Sequence, residues 1–209
     1  MKTVHYFYDP MCGWCYGSTS LIAPLATRAE HGEWVLMLHP GGMIPRREIE
    51  PGFRQHIRQA DQHIAQLTGA VFGDAYLNRL QGAQPLIFDS FITTQAIIAA
   101  AQLGIADFTM LKAIQAAHYA EGMDVAATAT LAQLAASFGA SADDWQSAMT
   151  AAHLQLDKQL QESHALMAQL GVNGYPTLLI EDDQGWQKLP HASFYGREDA
   201  WEQLLSDIS

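Results

Sequence analysis

Two cysteines stand two residues apart near the start of the chain, in the stretch DPMCGWCYG at residues 9–17. They are Cys12 and Cys15, the only cysteines among 209 residues. A C-x-x-C pair can be a redox dithiol, half of a zinc site or a chemically idle pair, and its context decides between these. Two cysteines in a chain of this length do not form a disulfide scaffold, so the pair is interpreted for its chemistry.

The cysteine pair follows a predicted strand and opens a predicted helix. Unpaired N–H groups and the helix dipole favour an anion at a helix N-terminus, so a thiol placed there is deprotonated more readily. Cys15 lies one turn further along the same helix face. This order predicts that Cys12 attacks a disulfide and that Cys15 resolves the mixed disulfide formed at Cys12.

A zinc site would need two further ligands. There is no second C-x-x-C, and none of the nine histidines forms a pair with zinc-finger spacing. A metal-binding or chaperone module is a further alternative, and loss of zinc or copper binding on mutation of both cysteines would identify it. No nucleotide-binding glycine pattern occurs in its required context, and we expect neither a cofactor nor a bound metal.

The first 40 residues read as strand, C-x-x-C, helix and strand. Residues 3–9 are β-branched and aromatic, and residues 16–32 have helical apolar spacing with Pro24 inside. Residues 33–40, EWVLMLHP, form a nearly continuous apolar run. We expect Pro24 to kink the helix and the second strand to be buried on both faces.

The middle of the chain is rich in alanine and has helical periodicity almost throughout. Strand character returns in TLLIED at residues 177–182, and a last helix is predicted at about residues 197–207. Two strand-bearing ends around a helical middle predict a discontinuous α/β domain of residues 1–45 and 171–209, with a helical insertion domain of residues 46–170. The last inserted helix has one apolar stripe: Trp145, Met149, Ala152, Leu156, Leu160, Ser163 and Met167.

Charge and hydropathy narrow the classes of partner. The chain has 11 basic and 22 acidic residues, a net charge of −11, which disfavours nucleic acid and anionic membrane surfaces. The most apolar window, residues 91–104, is too short and too polar to span a bilayer, and no secretory signal develops at the N-terminus. We expect a soluble, cytoplasmic protein with no nucleic-acid or membrane partner.

The stretch YDPMCGWCYG, followed far downstream by GVNGYPTLLI, resembles the DsbA-like branch of the thioredoxin superfamily. Within that branch the chain is most similar to the FrnE-type and predicted protein-disulfide-isomerase members. The resemblance covers the whole chain and implies an α/β, thioredoxin-like fold with an inserted all-helical domain. It implies a thiol-disulfide oxidoreductase or isomerase acting on protein or peptide thiols and disulfides, with glutathione among the candidate partners.

The resemblance also implies individual roles. Cys12 matches the family's nucleophile and Cys15 its resolving cysteine. Pro176 matches the cis-proline that faces the redox pair. Tyr175, which precedes it, would offer its backbone to an extended substrate.

Gly13 and Trp14 fill the variable dipeptide and, with Tyr175, are the expected substrate contacts. The dipeptide differs from the Pro-His of DsbA itself, which removes the histidine that helps to stabilise the thiolate. Trp14 could equally pack against the inserted helices, and the sequence leaves both open. Asp9 is expected to cap the turn after the first strand rather than to relay protons to Cys15.

The alternative function is a glutathione-dependent transferase or isomerase of the kappa type, which shares this architecture. That class usually has a serine where Cys12 stands and lacks the second cysteine. The intact pair argues against it, and a glutathione conjugation assay would distinguish the two functions.

Overall fold

The computed structural model describes residues 2–208 and contains a four-stranded sheet formed by both ends of the chain. The strands are β1 (Lys2–Tyr8), β2 (Trp34–Pro40), β3 (Arg47–Glu48), β4 (Ile87–Phe88), β5 (Thr177–Asp182) and β6 (Gly185–Lys188). The main sheet has the order β2-β1-β5-β6, with β1 parallel to β2 and antiparallel to β5. The strands predicted at residues 3–9 and 177–182 therefore pair directly in one sheet.

Helices make up most of the remaining chain. They are α1 (Gly13–Gly17), α2 (Thr19–Glu30), α3 (Pro51–Thr68), α4 (Asp74–Gln81), α5 (Ser90–Gln102), α6 (Asp107–Gln115), α7 (Thr128–Ser137), α8 (Ala142–Leu170) and α9 (Glu198–Asp207). A π-helical turn, Ala116–Ala120, continues α6, and a 3-10 turn, His191–Phe194, precedes α9. Within residues 2–208 no helix has the length and apolar character needed to cross a membrane.

The predicted helix after the cysteines is interrupted. Its two segments, α1 and α2, meet at Ser18, whose hydroxyl donates to the carbonyl of Cys15 at 2.9 Å. Such a side-chain bond competes with regular helical bonding. The break therefore falls just after the cysteine pair, whereas Pro24 lies inside α2.

The expectation that β2 is buried on both faces is wrong. Val35 is 39% exposed and Met37 45%. The reason is topological, because β2 is an edge strand of the sheet. Val35 and Met37 pair with Thr3 and His5 of β1. Met167 of α8 covers the same face of the sheet further along β1, at Phe7.

The helices of the middle segment are joined by loops, and its only other regular structure within residues 2–208 is the β3–β4 ladder, which has two residues on each strand. Ser141 caps α8 by accepting a hydrogen bond from the Asp144 N–H at 3.2 Å, and every member of the predicted apolar stripe is buried. Buried residues of the sheet, such as Tyr6, belong to the same hydrophobic cluster as Trp145 of the middle segment. The two parts thus share one core, and the division at residues 46 and 170 stays a prediction.

Two glycines allow α3 to approach α1 closely. A Cβ atom at Gly13 would lie 2.8 Å from Asp61 Oδ1 and 3.1 Å from Ile64 Cδ1. A Cβ atom at Gly17, one turn later, would lie 2.5 Å from Ile64 Cγ2 and 3.1 Å from Thr68 Oγ1. The inserted helix is therefore positioned directly on the helix that carries the cysteines.

We expect Gly13→Ala to lower the free energy of unfolding by about 1–3 kcal/mol, because the added methyl group overpacks the contact with α3. Gly52→Ala is the matched control, since it lies in α3 with no atom within 4 Å of an added Cβ. Urea unfolding measures both. Equal effects of the two substitutions would show that α3 does not press on position 13.

Candidate functional site

Cys12 and Cys15 lie at the start of α1 and differ in accessibility. Cys12 is the N-cap residue, with extended backbone, and Cys15 lies inside the helix. Both thiols are free; Cys12 is 8% exposed and Cys15 1%. The tight turn is closed by the Cys12 N–H, which donates to the Asp9 carbonyl at 3.1 Å. Cys12 is thus the more exposed of the two cysteines.

The loop before β5 brings Tyr175 and Pro176 to the cysteines. The peptide bond between these two residues is cis. The thiol of Cys12 donates to the carbonyl of Tyr175 at 3.7 Å, across 163 positions of sequence. Because proline has no N–H, Pro176 adds no backbone donor next to this sulfur. Residues from opposite ends of the chain therefore form one site.

The surroundings of Cys15 favour its neutral form. Burial is the largest cause that raises the pKa of the Cys15 thiol, and its hydrogen bond and charge interaction with Cys12 raise it further. The N–H of Asp9 contacts Cys15 Sγ at 3.5 Å and acts in the opposite direction, but more weakly. Cys15 is therefore held as a protonated thiol behind Cys12.

The carboxylate of Asp9 is fully buried and joins three segments. It accepts hydrogen bonds from the Met11 N–H at 2.9 Å, the Met43 N–H at 2.6 Å and the Ser90 hydroxyl at 2.7 Å. Burial raises the pKa of Asp9, while these three bonds lower it. The bond from Met11 is the expected turn cap. The bonds from Met43 and Ser90 were not foreseen, and they fix the turn to the loop after β2 and to α5.

Trp14 packs between the insertion and the C-terminal part of the chain. Its ring stacks on Tyr195, with centroids 5.6 Å apart, and meets His63 of α3 edge-on at 5.8 Å. It remains partly exposed. The packing alternative for Trp14 is thus observed, whereas substrate contact by Trp14 and Gly13 stays a prediction.

Tyr175 is held from the side opposite to its carbonyl. Its hydroxyl donates to Met167 Sδ of α8 at 3.2 Å, and a Cβ atom at Gly41 would lie 2.7 Å from the same hydroxyl. Burial raises the pKa of Tyr175 to about 12, so the phenol is neutral. These contacts orient the Tyr175 backbone toward Cys12.

The residues that sequence reasoning missed come from segments interpreted as structural. Asp61, His63 and Tyr195 approach the dipeptide between the cysteines, yet none belongs to a recognisable motif. The one feature of the sequence that could have indicated these neighbours is Gly13, since a glycine permits another segment to approach the backbone closely. In the part of the chain described, residues 2–208, no group of three metal-ligating side chains is found.

Comparison with solved structures gives matches over nearly the whole chain. The cytosolic disulfide reductase DsbM from Pseudomonas aeruginosa is 35% identical, with a TM-score of 0.88, and the match covers 99% of this chain and 98% of that one. A structure of DsbM with GSH matches at 34% identity, a TM-score of 0.87 and the same coverage. MdbA, a thiol-disulfide oxidoreductase from Corynebacterium diphtheriae, shares the fold at 18% identity, with a TM-score of 0.55 and 94% and 82% of the chains covered.

No protein-family model and no curated protein matches the sequence. At 35% identity over 99% of the chain, the likeness to DsbM extends beyond the fold. The chain belongs to the DsbA-like branch of the thioredoxin superfamily, with a thioredoxin-like fold and a helical insertion, and is a protein-disulfide oxidoreductase.

Proposed function

We propose that the protein reduces or isomerises disulfides of proteins and peptides, with Cys12 as the nucleophile and Cys15 as the resolving thiol. The observation that carries this proposal is the difference in burial, because Cys12 is 8% exposed and Cys15 only 1%. Cys12 is therefore the more accessible of the two cysteines to a substrate disulfide. The thiolate is the reacting form, so the buried, protonated Cys15 waits until Cys12 has reacted.

Reduction of a substrate then takes two exchange steps. The Cys12 thiolate attacks one sulfur of the substrate disulfide, whose S–S bond breaks as a mixed disulfide forms and one substrate thiolate leaves. Cys15 loses its proton and attacks the Cys12 sulfur, which releases the second substrate thiol and forms the Cys12–Cys15 disulfide. The substrate gains two electrons, and the dithiol loses two.

The Tyr175 loop is proposed as the surface that holds the substrate. The Tyr175 carbonyl accepts from the Cys12 thiol at 3.7 Å, and this partner is lost when the sulfur is bonded to substrate. The backbone of Tyr175 is then free to pair with an extended peptide, in the manner of strand addition. Pro176 contributes no N–H that could compete for the thiolate. Gly13 and Trp14, the residues between the cysteines, are proposed to contact the substrate as well.

We propose glutathione as the reductant that regenerates the dithiol. DsbM, the 35% identical relative, has been solved with GSH. Two molecules of glutathione reduce one Cys12–Cys15 disulfide and leave as glutathione disulfide. This direction suits the cytoplasm, which we propose as the site of action, because glutathione keeps thiols reduced there.

The two cysteine substitutions should have opposite consequences. We expect the rate of insulin disulfide reduction by Cys12→Ser to fall to the uncatalysed rate, because the accessible nucleophile is gone. Cys15→Ser should instead accumulate a mixed disulfide, because nothing resolves it. Intact-protein mass spectrometry after exposure to glutathione disulfide measures the adduct. Each variant is the control for the other, and an adduct on Cys12→Ser alone would reverse the assignment.

Glutathione should act as an electron donor and not as a conjugation substrate. We expect the oxidised protein to yield one glutathione disulfide per dithiol restored, measured by thiol titration. Incubation with glutathione and an electrophilic aryl halide should give no conjugate above background. Enzymatic conjugation that survives substitution of both cysteines by serine would favour the kappa-type transferase instead.

A further inference from the structure

A carboxylate from the insertion lies against the first residue between the two cysteines. Asp61 of α3 is 3% exposed, and its Oδ1 atom would lie 2.8 Å from a Cβ at Gly13. Its other oxygen, Oδ2, accepts a hydrogen bond from the Tyr76 hydroxyl of α4 at 2.7 Å. Since Gly13 has no side chain, nothing separates this carboxylate from the backbone that follows Cys12.

We propose that Asp61 is a positioning residue of the dithiol, whose negative charge opposes the Cys12 thiolate and makes the Cys12–Cys15 pair a weaker oxidant. This inference rests on the proposed role of Cys12 as the exchanging thiol. It assigns to the insertion a direct part in setting the redox balance, in addition to its packing on the sheet.

The sign of the effect follows from charge and from the redox equilibrium. A nearby like charge disfavours an ionised group, and burial weakens the screening by water. Asp61 is buried against Gly13, the residue that follows Cys12. A destabilised Cys12 thiolate destabilises the reduced state of the pair. Pairs with a stabilised reduced form are strong oxidants, so Asp61 shifts this pair toward the reducing end.

Asp61 takes part in none of the ion pairs found in residues 2–208, the part of the chain described. The nearby guanidinium, Arg79, donates to the carbonyls of Gly122 and Met123 and lies 3.7 Å from the carboxylate of Asp124. Its charge is therefore directed toward another loop.

Tyr76 and the two rings that pack against it, Tyr119 and His118, are neutral at physiological pH. The buried carboxylate of Asp9 also lies beside the dithiol, and it is the same in every variant compared. Burial raises the pKa of Tyr76 and Tyr119 well above the usual tyrosine value, and it lowers the pKa of His118 to about 3. Burial also raises the pKa of Asp61 to about 6, against the hydrogen bond from Tyr76, which lowers it. Asp61 is thus mostly charged at neutral pH and becomes neutral below about pH 6.

Asp61→Asn is the test variant, because it removes the charge and keeps an acceptor for the Tyr76 hydroxyl. We expect the equilibrium constant with glutathione to move about three- to tenfold toward the reduced dithiol, equivalent to about 15–30 mV. The ultraviolet thiolate absorbance of the reduced protein should titrate with a midpoint about half to one pH unit lower. The difference between the two proteins in thiol reactivity should shrink below about pH 6, where Asp61 of the wild type is protonated.

Two further variants test whether the effect depends on the charge of Asp61 itself or on the net charge of the protein. Glu50→Gln removes an exposed carboxylate at the start of the same helix, roughly 16 Å along the axis from Asp61, and should change neither readout. Tyr76→Phe removes the hydrogen bond that stabilises the Asp61 anion. It should therefore shift both readouts in the direction of Asp61→Asn, but less.

The outcomes distinguish this inference from the function on which it rests. If Cys15→Ser traps the mixed disulfide but Asp61→Asn leaves the glutathione equilibrium and the thiolate titration unchanged, the role of Asp61 is refuted and the proposed function stands. A shift of equal size in Glu50→Gln would also refute it, because the effect would then reflect net charge. If Cys15→Ser traps nothing, the proposed function itself fails.

Discussion

The antiparallel pairing of β1 with β5 is the constraint on which the site depends. It places Phe7 opposite Thr177, so that the turn after β1 and the loop before β5 emerge at the same end of the sheet. Cys12 lies in the first and the Tyr175 carbonyl in the second, and the 3.7 Å contact between them follows. Apolar side chains buried on both strands, such as Val4 and Leu178, each stabilise the folded protein by about 1.5–3 kcal/mol.

The insertion does more than enlarge the core. It supplies Ser90, which binds the buried carboxylate of Asp9, and α3, which fits against the glycines of α1. The dipeptide between the cysteines is therefore shaped from outside the thioredoxin-like part. This explains why glycine occupies position 13, where any side chain would meet the carboxylate of Asp61.

Much of the fold and the centre of the site could be predicted from the sequence. Strand and helix patterns are local, and the C-x-x-C and Tyr-Pro stretches combine distinctive residue types with a distinctive setting. The exposure of Val35 and Met37 could not be predicted, because it depends on β2 lying at the edge and on where α8 crosses the sheet. The position of Asp61 was equally hidden, since an acidic residue on a polar helix resembles any solvated one until the packing of α3 is known.

The division of labour between the two sulfurs is tested most directly by their order of reaction. The reduced wild-type protein would be treated with a limiting amount of iodoacetamide at mildly acidic pH, and the modified peptide sequenced by mass spectrometry. Because Cys12 is the accessible thiol and Cys15 is buried and protonated, we expect the label on Cys12 with Cys15 unmodified. Preferential labelling of Cys15 would contradict the assignment of nucleophile and resolving thiol.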